Sequence, residues 1–381
     1  MKPVTEIGYI RPHSKAQRET SSVMTHFLDD ILRQPNSLLS TMDYLAGAGH
    51  SKLESAAAAV RQSPHVYLTG IGSSYHAALG AASLFDQGGR PVHLQDASEL
   101  LHFAAFPPDS VVIMISRSGQ SAEVVRLLAK ARTSGAIVIG LTNSEAGVLA
   151  QEAQIPVVIP VGLDHAISVN TYSTLAAAAA AVASATLGSF DRGLKTSLVR
   201  AANETEEAIP GWREQISNAL WPVPRKSYYF LARGSSLASC HEARLLWEEG
   251  VKWPATAMGT GSFRHGPQEI VTEDLRFGMW IDHQRMREED LAVARDLGKL
   301  GASVMVIGQN LREDAGELVV RIPAAPAGWQ FLFDIIPVQL AAERLARLSG
   351  VDCDSFRICS YIVRDEYGLI TDEVPAEKNE D

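Results

Sequence analysis

Residues 65–74, HVYLTGIGSS, decide the fold of this chain. The β-branched and aromatic run is typical of a buried strand, and the Gly-Ile-Gly-Ser-Ser after it is typical of a turn into a helix. Residues 111–121, VVIMISRSGQS, repeat this arrangement. Their wholly apolar run is typical of a central parallel strand that is covered on both faces. Two strand–loop–helix units of this kind predict a parallel, doubly wound sheet.

The second half of the chain repeats the same theme. Residues 227–236, SYYFLARGSS, again predict a strand, a Gly-Ser-Ser turn and a helix, the helix running from Leu237 to Glu249. The predicted fold class is therefore α/β, with two flavodoxin-like, three-layer αβα subdomains, each built on a doubly wound parallel sheet. The predicted domains are an N-terminal arm with helices (1–50), a first domain (51–195), a second domain with a leading helical connector (196–365) and a tail (366–381). Gln34-Pro35 is expected to end the first helix, because proline cannot continue it.

Composition and charge limit the classes of function. The 381 residues are 46% hydrophobic and 20% charged, as in ordinary globular proteins, and the formal net charge is −10. We therefore expect neither nucleic acid nor membrane as a partner, and a phosphate ligand would have to be bound locally. Three cysteines without a CxxC pair predict neither a disulfide framework nor a thiolate zinc site. The absence of a signal-peptide pattern predicts a cytoplasmic location.

Two serine-rich loops follow the two strands quoted first, and both precede a predicted helix. A helix N-terminus offers unpaired N–H groups to an anion, and glycine lets the backbone approach it closely. The loops lack a complete GxGxxG or Walker A pattern, so a sugar phosphate is favoured over a nucleotide. A plain turn with a serine cap remains the alternative for the first loop alone. The candidate phosphate-binding residues are Gly72, Ser73, Ser74, Ser116, Arg117, Ser118, Gln120 and Ser121.

Candidate catalytic groups follow the second Gly-Ser-Ser. Glu242 and Glu249 are seven residues apart, so they share one face of the predicted helix. His265 lies in Arg-His-Gly-Pro, a predicted rigid turn. Carboxylates and histidines transfer protons near neutral pH. The alternatives are a solvated helix face for either glutamate and a structural role for the histidine.

These motifs resemble the proteins with two sugar-isomerase (SIS) domains, a family that includes the isomerase half of glucosamine-6-phosphate synthase. The resemblance spans most of residues 24–366. It rests on GIGSSYHAA, ISRSGQSAE, the RGSS-to-Glu249 helix, Arg264-His265-Gly266-Pro267 and Gly350–Asp354. It implies that the serines of both loops bind a sugar phosphate. It also implies that Glu249 moves a proton between C1 and C2, that Glu242 is a second helix carboxylate, and that His265 opens the sugar ring from the neighbouring subunit of a homodimer.

Two departures from the synthase narrow the implied activity. We expect the protein to lack a glutaminase domain with an N-terminal cysteine, and Tyr361 stands where the synthase has a lysine that engages the sugar carbonyl. The expected function is therefore an isomerase-type enzyme, a deaminase/isomerase or deglycase, acting on amino sugar 6-phosphates or fructosamine 6-phosphates. The alternative is a phosphosugar sensor without catalysis, and a nucleotide-binding α/β protein is a third interpretation. No cofactor is expected, and no His/Asp/Glu cluster has the spacing of metal ligands.

Overall fold

The computed structural model describes residues 24–369. The predicted arm before residue 24 and the part of the predicted tail after residue 369 lie outside the described residues. Two five-stranded sheets, one in each half of the chain, form the framework. The first contains β1 (His65–Thr69), β2 (His93–Leu94), β3 (Ser110–Ile115), β4 (Ile137–Thr142) and β5 (Ile155–Val158). The second contains β6 (Ser227–Ala232), β7 (Ala255–Gly259), β8 (Leu275–Trp280), β9 (Ser303–Gly308) and β10 (Leu318–Arg321).

The two sheets have the same topology. Their strand orders are β2-β1-β3-β4-β5 and β10-β9-β8-β6-β7, so the second order, read from its other end, repeats the first. Every pairing is parallel. The apolar run predicted to form a central strand is β3, whose six residues are all buried. The prediction of two doubly wound, flavodoxin-like sheets is confirmed.

Thirteen α-helices lie among residues 24–369 and flank these sheets. Those of the first half are α1 (His26–Ala46), α2 (His50–Gln62), α3 (Ser73–Gln87), α4 (Ala97–Phe103), α5 (Ala122–Thr133), α6 (Val148–Glu152) and α7 (Asn170–Thr186). Those that follow are α8 (Arg192–Asn218), α9 (Leu237–Leu246), α10 (Thr260–Phe263), α11 (Arg287–Lys299), α12 (Phe331–Asp334) and α13 (Ile336–Ser349). The long α8 is the predicted helical connector.

The predicted helix end at Gln34-Pro35 is wrong, because α1 continues through both residues to Ala46. Proline at position 35 cannot donate to the carbonyl of Ile31, but the amide Nε2 of Gln34 donates to that carbonyl at 3.4 Å. Gln34 and Pro35 are also buried in a helix that packs against α7, α8 and α13. A local substitute for the lost bond, together with tertiary packing, outweighs the usual cost of an interior proline.

Helix α7 forms the centre of the molecule. All 17 of its residues are buried, and it packs against α1, α2 and α3 from the first half and α12 from the second. Its run of alanines allows these neighbours to approach closely. Within residues 24–369, no helix combines the length and the hydropathy that a membrane crossing requires.

The sheet order fixes where a ligand would bind. In a 2-1-3-4-5 sheet, the connections leaving the first and third strands turn to opposite faces, and a crevice opens outside the carboxyl ends of these strands. In the first sheet these strands are β1 and β3, which are paired directly. The loops that follow them are the two serine-rich loops, so the topology brings both to one crevice.

Candidate active site

A cavity of about 240 Å³ lies at the carboxyl ends of β1 and β3. It brings together most of the residues predicted from the sequence, although the most distant two, Gly72 and Glu249, are more than 170 residues apart along the chain. The predicted residues that line it are Gly72, Ser73, Ser74, Ser116, Arg117, Ser118, Ser121 and Glu249. Gln120, Glu242 and His265 do not line it.

Two glycines give the first loop its shape. Gly70 lies so close to the start of α3 that a Cβ there would be 2.6 Å from the backbone carbon of Ser74. Gly72 has φ +56°, a left-handed conformation that glycine adopts without strain, and α3 begins at the next residue. The loop therefore places the N-terminus of α3 at the cavity, where its N–H groups favour an anion.

The second loop is organised by its own hydroxyl groups. Ser116 Oγ accepts the backbone N–H of Gly119 at 3.1 Å, and Ser118 Oγ accepts that of Gln120 at 3.2 Å. Both hydroxyls act as acceptors in these bonds, so each keeps its hydrogen to donate to a ligand. Ser121 is the N-cap of α5 but makes no capping bond with its side chain. Gln120 contributes its backbone to the loop, and its side chain is not part of the cavity wall.

Arg117 is held over the cavity by contacts with two other parts of the chain. Its Nη1 donates to the carbonyl of Ala166 at 3.2 Å and to Ser168 Oγ at 3.1 Å, and its Nη2 donates to the carbonyl of Tyr361 at 2.8 Å. Its guanidinium carbon lies 4.0 Å from the centre of the Tyr361 ring, a cation–π contact. Arg117 is thus a fixed positive charge beside two helix N-termini.

Glu249 reaches the cavity from the second half of the chain. The predicted single helix over 237–249 ends earlier, at Leu246, and a π-helical turn follows over Trp247–Val251. A π turn rotates the side chains that follow relative to a regular α-helix, and such turns are frequent at functional sites. Burial, and next the negative charge of Glu242, raises the pKa of Glu249 to about 7. A carboxyl with this pKa can accept and return a proton near neutral pH.

Glu242 lies beneath the cavity and is almost wholly buried. One oxygen of its carboxylate accepts a hydrogen bond from the Ser73 hydroxyl at 2.9 Å, and the other oxygen lies 2.7 Å from His76 Nδ1. These contacts join α9 of the second half to α3 of the first. Glu242 therefore fixes the first loop through Ser73, and its negative charge helps to raise the pKa of Glu249.

His265 is exposed on the turn after α10 and is not part of the cavity wall. Its backbone N–H bonds to the carbonyl of Ser262, and Gly266 follows with φ +122°. The side chain thus projects from a fixed turn of the second half. The structure describes one chain, so a site shared with a second subunit stays a prediction.

The sequence analysis missed part of the cavity wall. Glu123, in the first turn of α5, lines the cavity and has a buried Oε2 without a hydrogen-bond partner among the described residues. Glu123 is the last residue of the ISRSGQSAE motif, and this position was the only signal in the sequence that could have indicated its role. A C-terminal segment without regular structure closes one side, through Phe356, Cys359, Ser360, Tyr361 and Val363. Of these, only Tyr361 was singled out from the sequence.

The second Gly-Ser-Ser loop does not form an equivalent site. The guanidinium of Arg233 pairs with buried Asp290 at 2.7 Å, and the Ser236 hydroxyl donates to buried Asp334 at 2.6 Å. These groups are satisfied within the protein. Over residues 24–369, no group of three or more His, Cys, Asp or Glu is placed to hold a metal ion.

The chain is similar in sequence to known proteins over most of its length. The chain is 26% identical, over 90% of its length, to glutamine–fructose-6-phosphate aminotransferase (isomerizing) of Pyrobaculum aerophilum, of which it covers 58%. It spans about half the length of the curated relatives it matches.

Solved structures share the fold. The C-terminal domain of glucosamine-fructose-6-phosphate aminotransferase from Francisella tularensis matches with a TM-score of 0.77 at 17% identity, covering 88% of this chain and 99% of that one. A glucosamine-6-phosphate deaminase from Thermotoga maritima matches with a TM-score of 0.75 at 20% identity, covering 89% and 99%. The family model described as the SIS domain matches residues 59–186, which include both serine loops. Residues 59–186, which carry both serine-rich loops, are therefore similar to the SIS domain.

Proposed function

We propose that this chain is an enzyme that binds a 6-phosphorylated amino sugar or fructosamine and moves a proton between its C1 and C2. One observation carries the proposal. Glu249, a carboxyl whose pKa is raised to about 7, lines the same cavity as the two serine loops and Arg117. A cavity with anion donors at one part of its wall and a proton-transfer group at another suits acid/base chemistry on a phosphorylated sugar.

The phosphate of the substrate would bind between the two serine-rich loops. The N-termini of α3 and α5 and the hydroxyls of Ser74, Ser118 and Ser121 would donate to its oxygens, and Arg117 would supply the positive charge. This local site compensates for a chain whose net charge is −10. Ser73 has another role, because its hydroxyl donates to Glu242.

The proposed reaction begins with the opening of the sugar ring and continues with a proton transfer. His265 of a neighbouring subunit would assist opening of the sugar ring. Glu249 would remove a proton from C1 of a fructosamine phosphate and return it to C2, while the nitrogen loses its proton and the C2 oxygen gains one, which leaves an imine between C1 and nitrogen and a hydroxyl on C2. Water then adds to C1, the C1–N bond breaks, and an amine and an aldose 6-phosphate are released. An amino sugar phosphate with nitrogen on C2 would follow the reverse proton shift, with ammonia as the amine.

The relatives support this class of reaction. Those reported above are, by their names, an aminotransferase acting on fructose 6-phosphate and a deaminase of glucosamine 6-phosphate. Both reactions involve a nitrogen and a phosphorylated hexose. Because Tyr361 occupies the place of the family lysine, we propose a deaminase/isomerase or deglycase rather than a synthase, acting in the cytoplasm as a homodimer with a shared site. The two sheets support the proposed first and second domains, 51–195 and 196–365.

A panel of glucosamine and fructosamine 6-phosphates tests this proposal through the release of ammonia or free amine. We expect turnover that Glu249→Gln reduces by about 10²- to 10⁴-fold, the usual contribution of a general base. Glu207→Gln is the matched control, because Glu207 is an exposed glutamate on α8 that does not line the cavity. An equal loss in both variants would contradict the role of Glu249.

A phosphosugar sensor is the second candidate. The observation in its favour is that Tyr361 stands where the synthase has the lysine that engages the sugar carbonyl. Tight binding of sugar phosphates that Ser118→Ala weakens, with no turnover of any member of the panel, would support the sensor. A single-turnover measurement at high protein concentration separates a slow enzyme from a sensor.

A further inference from the structure

A second cavity, of about 360 Å³, adjoins the first. We refer to it as the adjoining cavity. The two share three wall residues, Glu249, Phe356 and Cys359. Glu249 therefore stands at the boundary, with the serine loops on one side of it and the adjoining cavity on the other.

This arrangement limits where a substrate can extend. If the phosphate lies at the serine loops and Glu249 acts on C1 and C2, these carbons lie at the boundary between the cavities. The nitrogen on C1 or C2, and whatever is attached to it, must then continue away from the serine loops. The adjoining cavity is the space that opens there.

The walls of the adjoining cavity suit an organic group. Trp253, Pro254, Phe356 and Ile358 contribute apolar surface. Ile358 is 69% exposed, which is unusual for a large aliphatic side chain and leaves apolar surface available to a ligand. Ammonia would not use such a surface, whereas the carbon chain of an amine would.

The charges of the adjoining cavity favour an anion. Its four charged residues are Glu248, Glu249, Lys252 and Arg357. Glu248 is neutralised by Arg244 at 2.5 Å, and Glu249 has a pKa of about 7. Lys252 donates hydrogen bonds to two backbone carbonyls, those of Glu249 and Ser355, and the negative charges of Asp352 and Glu249 also act on it.

Arg357 adds a second positive charge. It is exposed and has no hydrogen-bond or ion-pair partner within the described part of the chain, residues 24–369. An unpaired guanidinium is a ready partner for a carboxylate, which it can hold with two parallel hydrogen bonds.

We propose that the adjoining cavity binds the amine part of the substrate and that this amine carries a carboxylate. The preferred substrate is then a fructosamine 6-phosphate whose nitrogen belongs to an amino acid. Lys252 and Arg357 attract the carboxylate, and the apolar wall receives the side chain. This inference rests on the proposed function and deepens it, because it identifies the released amine as an amino acid rather than ammonia.

Binding to the Glu249→Gln variant tests the inference without interference from turnover. The ligands are fructose 6-phosphate and its 1-amino adducts with alanine and with ethylamine, which differ only in the carboxylate. We expect calorimetry to show that the alanine adduct binds at least tenfold more tightly than the ethylamine adduct. Adding Arg357→Gln should reduce this preference to less than threefold while changing the affinity for the ethylamine adduct by less than twofold. Arg213→Gln, an exposed arginine on α8 outside both cavities, is the matched control.

The outcomes separate the inference from the function on which it rests. Equal affinity for the two adducts, with measurable binding of fructose 6-phosphate, would overturn the inference and leave the proposed function standing. An equal loss for both adducts in the Arg357→Gln variant would likewise overturn it. Failure to bind any of the three sugar phosphates would overturn the proposed function itself, and the inference with it.

Discussion

The pKa of Glu249 predicts a pH dependence that an unperturbed glutamate would not give. Burial, followed by the charge of Glu242, raises this pKa from 4.5 to about 7. A base must be deprotonated to act, so activity should rise with pH as Glu249 ionises. With a pKa of about 7, roughly a tenth of the carboxyl groups are ionised at pH 6 and roughly nine tenths at pH 8. We therefore expect kcat/KM to rise about tenfold between these values. At the unshifted pKa, nearly all would be ionised at pH 6 and the rise would vanish.

The substrate contributes little to this rise. A phosphate monoester loses its second proton near pH 6, so its dianion increases about twofold between pH 6 and pH 8. A coupled assay of amine release, run at constant ionic strength over pH 5.5–9, measures both effects. The competitive inhibition constant of an unreactive hexitol 6-phosphate over the same range gives the contribution of the phosphate alone.

Variants of Glu242 test the cause of the shift. Glu242→Gln removes the second-largest cause of the raised pKa, so the midpoint of the pH profile should move to lower pH. The midpoint should stay above that of an exposed glutamate, because burial is the larger cause. A rise of twofold or less in the unmodified protein, or a midpoint that Glu242→Gln moves upward, would refute the assignment of Glu249 as the base.

Three further predictions concern the loop, the C-terminal segment and the core. Gly70→Ala should weaken hexose 6-phosphate binding at least tenfold by calorimetry, because its Cβ would lie 2.6 Å from the backbone of Ser74; unchanged binding would contradict this view of the loop. Tyr361→Ala should raise KM about 2- to 30-fold through loss of its cation–π contact with Arg117, whereas Tyr361→Phe keeps the ring and should stay within threefold; equal effects would contradict the stacking argument. Burial raises the pKa of Asp334 from 3.8 to about 7, so its stabilising contribution is complete below about pH 4 and is lost as pH rises through 7. Urea unfolding should show Asp334→Asn gaining up to about 3 kcal/mol relative to the unmodified protein between pH 5 and pH 8, and a constant difference would exclude this linkage.

Local sequence patterns predicted the two sheets and the meeting of the two serine-rich loops. Residues Val111–Ile115 of β3 are all apolar. A parallel sheet brings the loops after β1 and β3 to one edge, so the meeting of these loops followed from topology. Gly72, Ser118 and Ser121 could be selected as candidate binding residues because each predicted loop contains glycine and serine within a few positions.

The remaining parts of the site depend on contacts that no local pattern records. The segment from Phe356 to Val363 has no regular structure, and it reaches the cavity through bonds such as that from Arg117 to the carbonyl of Tyr361. The sequence before the π turn that carries Glu249 is typical of an ordinary α-helix, so it does not indicate the turn. Pro35 gave the wrong helix end because the amide of Gln34 replaces the lost donor, which a propensity rule does not consider.

The burial of α7 has a consequence for how the protein is made. Residues 170–186 leave the ribosome 145 residues before Phe331, the first residue of α12, which covers part of this helix. At about 5–20 residues per second, synthesis takes roughly 7–30 s to supply that cover. Throughout this interval the nascent chain carries a helix whose final neighbours are incomplete. Alanine forms helices readily and exposes less apolar surface than leucine would, so the composition of α7 lets it form early while limiting its attraction to other nascent chains.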